Sequence, residues 1–177
     1  MTGIQSAPKD FGFGDDETML RDIARKMLEE RLPTDQLRRL VAASPEPVYD
    51  AGERAPWDEK LWAEMVGLGW TGLAISEDDG GAGISLVGIA AMVEEIGRRA
   101  VPAPFIPTLS ASLVLRAAGG DAAKKFMARI AGGAAASLAI TDGRGGWESD
   151  NAPLTAHMEG EDLILSGAAR FVQDAFK

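Results

Sequence analysis

Leu68-Gly69-Trp70-Thr71-Gly72-Leu73-Ala74-Ile75-Ser76-Glu77-Asp78-Asp79-Gly80-Gly81-Ala82-Gly83 places a sharp turn near the middle of this sequence. The first half of the stretch is short and apolar. The second half is acidic and rich in glycine, which reaches positive φ without a Cβ clash and lets the chain reverse. The run lacks the spacing and the Lys-Ser/Thr pair of a phosphate loop, and it does not sit in a strand-to-helix unit. Glu77-Asp78-Asp79 lacks the long ligand frame and terminal bidentate Glu of a calcium loop, so it reads as a solvated turn. The segment is a connection between helices.

Helical periodicity lies on both sides of it. Upstream, Asp15 or Asp16 can cap a helix in which Met19, Leu20, Ile23, Ala24, Met27 and Leu28 recur at three- and four-residue spacing until Pro33. Arg21, Arg25, Lys26, Glu29 and Glu30 fall on its other face, a pattern of solvated surface. Val41 to Pro56 reads as a connecting segment, because Ser44, Pro45, Pro47, Gly52 and Pro56 accumulate there. A second helix comes next, with Leu61, Trp62, Met65 and Val66, ending at Gly67 and Gly69.

Downstream of the turn, Ser85 can cap a helix whose stripe is Leu86, Ile89, Ala90, Val93 and Ile96, with one of Glu94 and Glu95 facing water. Pro102, Pro104 and Pro107 interrupt the pattern. Leu109, Leu113, Val114 and Ala117 then point to a helix ending at Gly119-Gly120. Asp121 can cap one more, with Phe126 and Ile130 inside and Gly132-Gly133 at its end.

Past Gly133 the period changes. Ala134 to Thr141 is small and apolar, and Leu154, Ala156 and Met158 alternate with Thr155, His157 and Glu159. Gly160-Glu161-Asp162 reads as a hairpin turn into Leu163 to Ser166, and Ala169 to Gln173 as a further strand. The expected fold is therefore mostly α: an N-terminal up-down helical domain followed by the first strands of a truncated β-domain. The boundaries are 1–15 for a flexible N-terminus, 16–133 for the helices and 134–177 for the strands.

Composition narrows the chemistry. The formal net charge of −9 across 177 residues, with no Lys/Arg cluster, argues against nucleic acid. No cysteine is present, which excludes disulfides and thiolate chemistry, and the single histidine, His157, leaves no basis for a multi-His metal site. No stretch is apolar enough to span a bilayer and the N-terminus carries no secretory pattern, so a cytoplasmic chain is expected. No pair of carboxylates can be placed together from spacing, and no catalytic residue is assigned.

The most informative loop runs Leu138-Ala139-Ile140-Thr141-Asp142-Gly143-Arg144-Gly145-Gly146-Trp147-Glu148-Ser149-Asp150. It presents hydroxyls and backbone N–H groups at the end of an apolar run, groups that hydrogen-bond a polar ring edge or a phosphate. Taken with residues 68–83, with the helix ending Glu94-Glu95-Ile96-Gly97-Arg98, and with Leu163 to Val172, it resembles the acyl-CoA dehydrogenase family from about Asp16 onward.

The resemblance implies FAD as cofactor and α,β-dehydrogenation of an acyl-CoA thioester. A base in a C-terminal helical domain takes the α-proton in that family, and no residue here matches it. Leu138 and Thr141 would then lie along the isoalloxazine, Ser149 near the cofactor pyrophosphate or the acyl-CoA, and Phe171 and Gln173 on the flavin's other side. The chain departs from the family pattern at Leu138, where an aromatic is usual, at Asp142 for Glu, at Ala169 for Lys and at Gln173 for Thr/Ser.

Implied partners are acyl-CoA, a like or unlike acyl-CoA dehydrogenase-type chain, and electron-transfer flavoprotein. Three readings stand at this point. The chain is the N-terminal portion of a flavin-dependent dehydrogenase, or a non-catalytic subunit with a degraded flavin site in a two-chain enzyme, or a helical interaction module.

Overall fold

A computed structural model of the chain describes residues 13–42, 57–148 and 154–175. The flexible N-terminus and the 41–56 connection expected from the sequence lie largely outside those residues. Among the described residues there are six helices and one two-stranded sheet: α1 (Asp15–Arg31), α2 (Thr34–Ala42), α3 (Glu59–Gly67), α4 (Leu86–Arg98), α5 (Phe105–Ala118), α6 (Gly120–Ala131), β1 (Leu154–Glu159) and β2 (Asp162–Gly167). The mostly α fold with the start of a β region is as expected.

Local chemistry sets the helix ends. At α1 neither Asp15 nor Asp16 is the cap; the Gly14 N–H donates to the Glu17 carboxylate at 3.0 Å, and all three acidic residues lie in the first turn, where the helix dipole favours them. Asp58 caps α3 through the N–H groups of Lys60 and Leu61, and Ser85 caps α4 by accepting from Gly88 N–H at 3.1 Å. α5 begins before Leu109, since Pro107 falls in its first turn, where no intrahelical N–H is needed. α6 starts at Gly120, so Asp121 is a first-turn residue rather than its cap.

The turn at 68–83 folds as expected, in two short 3-10 turns with Trp70 and Leu73 to Ile75 buried. Gly80 has φ +87 there. Gly81 is required for a different reason: a Cβ would collide with the carbonyls of Ile75 and Gly72.

Ala24 and Leu28 of α1 and Leu32 at its C-cap pack with Leu61 and Met65 of α3, Ile89, Met92 and Ile96 of α4, and Phe105. A second cluster joins Ile75 to Met127 and Ile130. Several inward faces differ from the periodicity reading. Met19, Ile23 and Leu86 are exposed, α4 buries Gly88, Ala91 and Met92 instead of Ala90, and α6 turns Met127 inward while Phe126 is exposed.

The α1–α4 seam also carries a buried charge. Glu95 is fully buried and accepts from Arg25 at 2.7 Å, with the Arg98 Nε at 3.3 Å on its other oxygen. A turn further on, Arg99 pairs with Glu29 at 2.7 Å. Since 25 meets 95 and 29 meets 99, the two helices run side by side in the same direction. Arg25, assigned from the sequence to a solvated face, is thus drawn to the seam. Its hydrogen bond to Glu95 holds that carboxyl below the ordinary glutamate range, against the opposing effect of burial.

The strands form a hairpin closed by Gly160-Glu161, with Gly160 at φ +65 and Ala156 opposite Leu165, Met158 opposite Leu163. Two expected strands are absent. Residues 134–141 send the peptide groups of Ala136 to the Thr108 hydroxyl, not to a ladder. Residues 169–173 are turned by Phe171 at φ +52, a left-handed value that a strand does not accommodate. Among the described residues no helix is long and apolar enough to cross a membrane, and no group of three His, Asp or Glu converges as a metal site.

Candidate functional site

The segment that carries Leu138 and Thr141 leaves the helical body at the end of α6. Gly133, at φ +102, turns the chain where a side chain would run into Val66. The Thr71 hydroxyl donates to Ala131 O, and Thr108 holds Ala136 three residues past the turn. Leu138 is half-buried, and Thr141 is buried to 8% exposure.

At Thr141 the chain meets its own later portion. The Arg170 N–H donates to the Thr141 carbonyl at 2.8 Å, so the 138–141 segment and the 170–173 turn lie side by side. Phe171 is 76% exposed next to that bond, and Gln173 is exposed. Of the five residues expected at the site, four are described, and this bond brings their two groups together across about 30 positions of sequence. Ser149 lies outside the described residues.

The loop between is organised by Asp142. Its carboxylate Oδ1 accepts from Gly146 N–H at 2.7 Å and from Arg144 N–H at 2.8 Å, while the Gly145 N–H donates to its carbonyl. Those amide bonds, Gly146 first, hold the Asp142 carboxyl below its ordinary range. Trp147 N–H donates to the Glu148 carboxylate, and the Trp147 ring is 74% exposed. Ile140, Trp147 and Phe171 are each exposed, and the N–H groups of Arg144, Gly146 and Trp147 are taken by the Asp142 and Glu148 carboxylates.

Family resemblance named Leu138 and Thr141 as expected site residues, and sequence reasoning did not single out Thr108 or Arg170 as holding their segment. A threonine on an otherwise apolar helix carries no signal that it bonds a segment 28 residues later, and Arg170 contributes only its backbone N–H, for which side-chain identity is silent.

Residues 14–134 match the family model for the N-terminal domain of acyl-CoA dehydrogenases. Among curated proteins, FadE12 of Mycobacterium tuberculosis is 26% identical over 127 residues, covering 70% of this chain and 33% of that protein. IpdE2 of the same organism is 38% identical over 87 residues, covering 48% of this chain and 27% of that protein.

The solved structure of a Tcur3481–Tcur3483 steroid ACAD variant superposes with a TM-score of 0.75 at 29% identity, over 92% of this chain and 42% of that one. The ChsE4–ChsE5 complex of Mycobacterium tuberculosis shares the fold, with a TM-score of 0.68 at 17% identity over 89% of this chain and 40% of that one. The chain spans about a third of the length of FadE12. With more than half its residues inside the family model, the chain belongs to the acyl-CoA dehydrogenase family.

Proposed function

We propose that the chain is the N-terminal portion of a cytoplasmic, FAD-dependent acyl-CoA dehydrogenase, with a helical domain over 16–133 and the start of the β-domain over 134–177. The observation that carries the reading is the match of residues 14–134 to the N-terminal domain of acyl-CoA dehydrogenases, and the Arg170 N–H bond to Thr141 O brings together the two segments that family resemblance assigns to the flavin. Bound flavin would supply a hydride acceptor. The chain's own residues orient and shield: Leu138 and Phe171 offer apolar and aromatic groups suited to a flat ring, Thr141 ties their two segments through its carbonyl, and Gln173 offers a polar edge.

The fit to the anionic part of the cofactor is different. A pyrophosphate takes free amide N–H groups, and in this loop those of Arg144, Gly146 and Trp147 are bonded to Asp142 and Glu148. In the described part of the loop, which ends at Glu148, those three amides thus serve the chain's own carboxylates rather than a phosphate, and this favours a second reading in which the chain is the non-catalytic member of a two-chain dehydrogenase. Both solved structures named above carry paired chain names, Tcur3481–Tcur3483 and ChsE4–ChsE5, which is consistent with such a pairing. Acyl-CoA is the substrate proposed for either arrangement, and electron-transfer flavoprotein the electron acceptor.

Anaerobic addition of acyl-CoA thioesters to the flavin-loaded full-length protein that contains this chain tests the first reading. Bleaching of the flavin band is expected. Loading and bleaching seen only after mixing with a second acyl-CoA dehydrogenase-type chain would replace the first reading with the second, and a flavin that stays oxidised with both chains present would sink both.

A further inference from the structure

The segment bearing Leu138 and Thr141 has no strand partner among the described residues, yet it is not loose. Thr108, in the first turn of α5, is 1% exposed. Its hydroxyl accepts from the Ala136 N–H at 3.0 Å and donates to the Ala136 carbonyl at 3.3 Å. A hydroxyl has one proton to give and lone pairs to receive, and here both functions go to one residue's two peptide groups. One side chain thereby replaces the pair of bonds that a neighbouring strand would make. The Thr108 carbonyl is itself fixed by the Ser112 hydroxyl at 3.0 Å, and the Ala136 side chain packs on the Ile75, Met127 and Ile130 cluster.

Chain geometry carries this hold to the site. Leu138 is two residues from the anchor and Thr141 five, a reach of at most about 7 and 18 Å. The far end is tied by Arg170. The segment is bracketed by Thr108 at one end and Arg170 at the other, so its register cannot drift while both bonds stand. Polar groups this buried cost free energy when left unpaired, so losing the hydroxyl would release Ala136 rather than leave it in place.

We infer that Thr108 is a positioning residue: its hydroxyl, through Ala136, sets where Leu138 and Thr141 stand toward the ligand. The inference rests on the flavin reading above for the identity of that ligand. It assigns a role to a helical-domain residue whose side-chain hydrogen bonds go to Ala136 and to none of the four described site positions.

The test compares Thr108→Val, which keeps the shape and loses both bonds, with Thr108→Ser, which keeps the hydroxyl. Ser110→Ala serves as control, since it removes a half-buried hydroxyl of the same helix that bonds Ile106 O and not Thr108. Amide exchange of residues 136–141 and FAD affinity by titration are the readouts, with thermal unfolding beside them. In Thr108→Val, exchange over 136–141 is expected to accelerate and FAD affinity to fall about tenfold, while Thr108→Ser stays near the parent and Ser110→Ala changes neither exchange over 136–141 nor affinity. Unchanged exchange in Thr108→Val, or equal affinity losses in Thr108→Val and Ser110→Ala, overturns the inference. A parent protein that takes up no flavin at all refutes the flavin reading instead, and exchange over 136–141 then decides on the anchor alone.

Discussion

The α1–α4 seam and the β1–β2 hairpin are built from similar proportions of apolar residues and end in opposite states. In the seam Ala24, Leu28 and Met92 are fully buried and a buried Glu95 is met by two arginines. In the hairpin Met158, Leu163 and Leu165 lie on one face and are each about 60% exposed. Helices bury one stripe against each other and satisfy their backbones internally, so the helical body closes its own core. A two-stranded ribbon has nothing to cover either face and is marginal by itself. Stability should reside in the helices, and the hairpin should depend on whatever covers it.

The largest expected effect tests that division directly. Leu28→Ala should lower unfolding free energy by about 3 kcal/mol in urea titration, whereas Met158→Ala should stay within about 0.5 kcal/mol. Comparable losses from the two would end the contrast.

Glu95→Gln comes next, at about 1.5–3 kcal/mol near neutral pH, because a charged acceptor is removed from between Arg25 and Arg98. Its pH dependence has a definite sign. The folded-state pKa of Glu95 is depressed, so its contribution is complete above the ordinary glutamate value of about 4.3 and fades as pH falls through the lower folded value. The gap in urea midpoint between parent and variant should therefore be constant from pH 7 to about 5 and close on further acidification. A gap that widens with acid would show that the carboxylate is not held by Arg25.

Asp142→Ala should have a smaller and local effect: faster amide exchange at Arg144 and Gly146 with the Tm unchanged. If the freed amides serve the cofactor, FAD affinity should rise in this variant, which would sharpen the choice between the two proposed functions. The smallest expected effect is that of Leu165→Ser, which should leave helical unfolding untouched and reduce binding of a hydrophobic dye.

How legible these regions were in the sequence tracks the same divide. α1, α3 and α4 show themselves through apolar spacing and, for α4, the Ser85 cap. α2 escaped, as its nine residues carry only Leu37, Leu40 and Val41 as large apolar groups. Periodicity could not tell that Glu95 would be buried or Phe126 exposed, since the choice depends on which neighbour arrives. The hairpin turn at Gly160 was legible from local chemistry. The segments 134–141 and 169–173 read as strands because they are apolar, but their bonds go to a threonine hydroxyl and to one backbone amide, neither of which leaves a trace in spacing. Of the site, Leu138, Thr141, Phe171 and Gln173 were placed by family resemblance alone, and the bond that joins them by neither motif nor pattern.

FAD titration of the purified protein, read by visible absorbance, tests the central proposal most directly. A bound-flavin band approaching one per chain, held by the surface around Thr141 and Phe171, is the predicted result. A protein that shows no bound flavin even in excess FAD would contradict it.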